Sequence, residues 1–154
     1  MKMKEILYDD EYVKSNKPVI MFLGDSFVWG YDVEKEERFT EKLRKYMPDW
    51  SIYNLGVSGY GNDQEYLLLQ KYYDKFRPEI VFVVFCTDND RDDNSYNNIN
   101  GGYFKPYFEI EEGNLKLKDQ PVPLSANYYL KDFYSKHPAN FLPFILIMAD
   151  INWW

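Results

Sequence analysis

The chain has 154 residues, enough for one ordinary domain, with 18 basic against 25 acidic side chains and a formal net charge of −7. That balance leaves no basic excess to neutralise phosphates, which argues against a nucleic-acid or anionic-membrane surface, and a hydrophobic content of 45% excludes wholesale disorder. One cysteine, Cys86, excludes an internal disulfide, while an aromatic content of 19%, 15 residues of it tyrosine, reads first as compositional bias and second as a stacking or glycan-facing cleft.

The amino-terminal MKMKEILYDDEYVKSNK lacks the apolar core of a signal peptide, so a cytoplasmic location is expected. Pro18 to Leu23 is a continuous apolar run ending at Gly24, the pattern of a strand buried on both faces. From Glu36, the segment EERFTEKLRKYM places Phe39, Leu43, Tyr46 and Met47 at helical spacing, and Pro48 and Asp49 stop it. Ser51 to Leu55 predicts a second strand. Asn62 then caps a helix, with Glu65 in capping-box position, that ends before Arg77-Pro78. Glu79 to Phe85 (EIVFVVF) predicts a third strand, buried like the first.

Strand, helix, strand, helix, strand with short connections implies a parallel sheet covered by helices on both faces, a three-layer α/β/α fold of flavodoxin-like type. Farther on, Tyr103 to Ile110, a turn at EEGN and Leu115 to Lys118 read as a β-hairpin within an insertion over 101–123. Tyr128 to His137 predicts a helix stopped by Pro138. The apolar stretch Phe141 to Met148 is too short for a membrane span and is broken by Pro143, so it reads as a buried element.

In sheets of this kind the reactive groups gather beyond the carboxyl ends of the strands. Each strand here is followed by polar, chemically capable residues. Gly24-Asp25-Ser26 places a hydroxyl just past the first strand; it is a nucleophile only if an imidazole takes its proton, and otherwise it caps the next turn. Gly56, Gly59 and Gly61 can turn amide N–H groups towards a developing oxyanion, although their order does not fit a dinucleotide fingerprint and a plain tight turn is the competing reading. The run Asp88 to Asn94 alternates acids like a calcium loop. Asp93 stands where that loop needs glycine, however, and Ile99 where it needs the bidentate acid, so no metal is assigned. Asn89 reads better as a neutral donor to an oxyanion, braced by neighbouring acids and Arg91, and Cys86 as an inert thiol.

Over about Pro18 to Asn94, the blocks LGDSFVWG, NLGVSGYGND and VFCTDND resemble, in order, separation and strand context, the SGNH (GDSL-type) hydrolase family. The resemblance implies acyl-ester chemistry without metal or cofactor, with Ser26 as nucleophile. The Ser26 and Gly59 amides and the Asn89 side chain would hold the oxyanion, with Asp25 and Asp90 in support. The family also carries its base in a carboxyl-terminal D-x-x-H motif. The chain's one histidine, His137, is preceded three residues earlier by Tyr134 and comes before the remaining strand–helix units could be made. The reading is therefore a single, incomplete domain over 1–154, truncated at its carboxyl end. His137 as base is the lesser alternative to an exposed helix end.

Three functions stay open: an esterase acting on an acyl ester, acetyl on carbohydrate included, with turnover impaired by the lost histidine; a non-catalytic module that binds such a ligand; and an acyltransferase using the same serine. Truncation would leave a sheet edge uncovered, for the terminal apolar segment to cover or to use in self-association.

Overall fold

The computed structural model describes residues 16–95, 97–99, 103–126, 129 and 136. His137, nearly all of the expected helix from Tyr128 and the apolar segment from Phe141 lie outside the described residues.

The core is a three-stranded parallel sheet in the order β2–β1–β3, with β1 at Val19–Leu23, β2 at Ser51–Asn54 and β3 at Ile80–Val83. Between them run α1 (Ser26–Trp29), α2 (Phe39–Tyr46) and α3 (Asn62–Phe76). The two-residue period of the central strand divides the core into two layers. Val19, Met21 and Leu23 face α3, packing with Tyr53, Leu55, Phe76 and Val81. Ile20 and Phe22 face the other way, against Val28 of α1, Ile52, and Leu43 and Met47 at the α2 side. Helices thus cover both faces, and the fold is the three-layer α/β/α expected.

Three boundaries and burials differ from expectation. Gly61, not Asn62, is the cap residue of α3; Asn62 opens the first turn, and Gln64 Oε1 accepts from the Gly61 amide. In α2, Leu43 and Met47 lie one turn apart on the buried stripe, whereas Tyr46, three residues from Leu43, rotates off it and is 84% exposed. β3 was expected to be buried on both faces, but Phe82, Val83 and Phe85 are 46%, 55% and 50% exposed. It is an edge strand among the described residues: Val81 packs against the cluster on the α3 side, and Phe22 stacks on Phe82 with ring centroids 4.9 Å apart.

Beyond β3, α4 (Asp90–Ser95) is followed by two short antiparallel ladders. β4 (Asn98–Ile99) pairs with β5 (Tyr103–Phe104), and β6 (Tyr107–Glu111) pairs with β7 (Asn114–Lys118). The expected hairpin is present in β6 and β7, about Glu112 and Gly113, both at positive φ, while Tyr103 and Phe104 belong to the separate ladder because Lys105 turns the chain inward. No helix among the described residues is long and apolar enough to cross a membrane.

Candidate active site

The order β2–β1–β3 puts the switch in connection direction between β1 and β3, where loops leaving the carboxyl ends diverge and open a crevice. The loop after β1 carries Asp25 and Ser26, the loop after β2 Gly56 to Gly61, and the loop after β3 Asn89 and Asp90.

Backbone and side-chain bonds tie the three loops into one rim. The Val57 amide donates to the Gly24 carbonyl at 3.0 Å, and the Val84 amide to the Leu23 carbonyl at 2.9 Å. Asn89 Nδ2 donates to Asp25 Oδ2 at 3.1 Å, across 64 residues of sequence. Asn94 and Asn62 exchange a pair of bonds at 2.7 and 2.8 Å, fastening α4 to the start of α3. Gly61 permits that approach, since a Cβ there would lie 2.6 Å from Asn94 Oδ1.

Ser26 is the first residue of α1, half-buried, with its hydroxyl making no hydrogen bond among the described residues. Asp25 is buried and caps that turn, Oδ1 accepting from the Phe27 amide at 2.9 Å. Ser26 opens onto a cleft of about 430 Å³ whose walls include Phe27, Val33, Arg38 and Phe39. Gly59 is in the left-handed region at φ 75, with open space around its Cα. Asn89 gives one amide hydrogen to Asp25 and the other to Asp93 Oδ2, at 2.9 Å, and its Oδ1 is buried without a partner. Asp90, fully buried, closes the third loop by accepting from the Cys86 amide at 2.6 Å.

Two further residues shape the rim, although the sequence assigned neither of them a part in the site. Asn54, at the end of β2, donates to the Val28 carbonyl at 2.6 Å and to Thr40 Oγ1 at 3.1 Å, and accepts from the Gly56 amide at 2.9 Å. It holds α1, and with it Ser26, against the second loop. Glu65 is buried, with Oε1 unpartnered and Oε2 accepting from Asn62 Nδ2. Burial pushes its carboxyl up to about 7, opposed by the Asn62 bond and reinforced by the charges of Asp90 and Asp25. Burial likewise raises Asp90 and Asp93 from their ordinary values, opposed in turn by the Cys86 amide and by Asn89. Glu65 was legible as an N-terminal helix residue, but its burial among other acids was not. Among the described residues no cluster of acidic, histidine or cysteine side chains is arranged to hold a metal ion.

No protein-family model and no curated protein matches the chain. Among solved structures it is similar to AlinE4, an SGNH-hydrolase family esterase, at 28% identity and a TM-score of 0.40, and to two mutants of that esterase, an Asp→Ala form at 28% and a Ser→Ala form at 27%, each also at 0.40. Each comparison covers 45% of this chain and 40% of the other, so the chain spans about two fifths of that esterase's length. These neighbours are SGNH-family esterases at a distance, and an overlap that small and loose decides nothing about activity.

Proposed function

We propose that the chain is the nucleophile-bearing part of an SGNH-type acyl-ester hydrolase. Ser26 Oγ attacks the ester carbonyl, its proton passes to an imidazole, and the Ser26 and Gly59 amides with the Asn89 carboxamide stabilise the oxyanion. Collapse expels the alcohol, which takes that proton, and water releases the acyl group from Ser26 in a second round. The observation that supports this reading best is the Asn89–Asp25 hydrogen bond, which brings the third loop against the residue before Ser26.

Asn89 can serve the oxyanion only by freeing one amide hydrogen. Either the bond to Asp25 or the bond to Asp93 must open for that to happen. The base is the open element of the reading. His137 lies outside the described residues, and a chain whose serine no imidazole reaches would bind ester with little turnover. An acylated glycan is the proposed natural ligand class, with no cofactor.

The test is covalent labelling by a fluorophosphonate probe. Labelling that disappears in Ser26→Ala supports the reading, and an unlabelled parent chain at saturating probe points to a non-catalytic binding module. Where p-nitrophenyl acetate is turned over, Ser26→Ala should lower the rate roughly 10³-fold or more, and Asn89→Ala about 10²-fold. An added alcohol acceptor that diverts the acyl group would indicate transfer rather than hydrolysis.

A further inference from the structure

The cleft beside Ser26 is walled largely by apolar groups, Phe27, Val33 and Phe39 among them, yet it holds one cation, Arg38. That guanidinium forms no ion pair or hydrogen bond among the described residues, and its Nε is buried without an acceptor. A guanidinium without an acidic partner at the wall of a cleft calls for an explanation, and a ligand acceptor entering that cleft is one of the few available.

Arg38 is also held in place. It sits at the junction between the 3₁₀ turn Lys35–Glu37 and α2, its guanidinium carbon 5.4 Å from the centroid of the Trp29 ring. Its stem lies over Gly30, where the backbone is at φ +82 and a Cβ would come 2.8 Å from Arg38 Cγ. A side chain there would displace the arginine. The neighbouring acid Glu37 turns away to Lys42 Nζ at 2.7 Å, and Asp32, the other acid of the cleft, is exposed to water that screens it.

We propose that Arg38 is a specificity-determining residue that receives a carboxylate on the acyl group of the ester, so that the cleft favours half-esters of dicarboxylic acids over neutral esters. A planar guanidinium matches a carboxylate bidentately, and the apolar groups that line the same cleft suit the methylenes of such an acyl chain. The inference rests on the reading of Ser26 as the reactive group, since that makes the cleft an acyl site.

The experiment measures binding, not turnover, in Ser26→Ala protein, by following the Arg Nε–H resonances during titration with monomethyl glutarate, dimethyl glutarate and acetoxyacetate, whose carboxylate lies on the alcohol side. Monomethyl glutarate should bind at least tenfold tighter than the neutral diester and than acetoxyacetate. Arg38→Gln should abolish the preference and Arg38→Lys should keep part of it, both checked for native circular dichroism. Equal affinity for the half-ester and the diester, a preference that survives in Arg38→Gln, or tighter binding of acetoxyacetate would each overturn the proposal. Because no chemistry is required, failure of probe labelling at Ser26 and failure of carboxylate selection are separate results.

Discussion

Asp25, Glu65, Asp90 and Asp93 crowd the rim beyond the strand ends, and the burial of Glu65 makes the region sensitive to pH. Glu65 in the fold is raised from its ordinary 4.5 to about 7. Between those two values the folded chain holds a proton that the unfolded chain has lost, so stability falls as pH rises through that window and levels off above about 7. The full shift is worth at most about 3 kcal/mol. Glu65→Gln keeps an acceptor for Asn62 and removes the charge. Its melting temperature should exceed that of the parent at pH 8, with the gap closing towards pH 5, as followed by thermal denaturation across that range. At this scale the sequence was only partly readable. Ser26, Gly59 and Asn89 stood out because motif spacing marks them, whereas Asn54, inside a motif block but given no role, and Arg38 matter through partners, or a lack of partners, that spacing does not reveal.

Helices and strands were easier to read than single side chains. β1, β2, α2 and α3 carry strong periodic or continuous apolar patterns, and each formed within a few residues of its expected span. The errors came where a neighbour decided the outcome. The cap of α3 moved from Asn62 to Gly61 because Asn62 is drawn to Asn94. Contact between elements also makes Gly56 sensitive. A Cβ there would lie 2.3 Å from the Trp29 amide nitrogen and 2.7 Å from the Val28 carbonyl carbon, both backbone atoms of α1. Gly56→Ala must therefore push α1 away, at a cost of about 1–3 kcal/mol, and should slow covalent labelling at Ser26 as well as lower the melting temperature. Gly59→Ala makes the useful contrast. Its Cβ meets nothing within 4 Å, so only the positive φ, worth about 1 kcal/mol, should be felt. Equal losses in the two variants would contradict this packing account.

At the scale of the whole molecule, a buried ion pair fastens the hairpin segment to the sheet-and-helix core. Lys105, 2% exposed, places Nζ 2.8 Å from both Asp63 oxygens, anchoring the segment before the hairpin to the first turn of α3, and Tyr66 packs edge-on against Phe108 nearby. Lys105→Met strands a desolvated carboxylate beside other acids and should cost about 3–5 kcal/mol. Hydrogen exchange should show residues 103–118 losing protection first, and adding Asp63→Leu should recover much of the loss. The same scale holds the clearest misreading, β3. An apolar run such as EIVFVVF marks a strand whose side chains favour burial, but how much of it is covered depends on which elements pack alongside.

By itself, the sequence determined the α/β class, the parallel order of elements and the three polar loops at the strand ends, because these follow from local periodicity and chain connectivity. Only the tertiary structure decided that Asn89 spends its amide on Asp25 and Asp93, that Arg38 stands unpaired in the Ser26 cleft, and that three buried acids, Asp25, Glu65 and Asp90, share one rim. Those outcomes depend on distances between residues remote in the chain and on the water they exclude, and neither is written in any local run of residues.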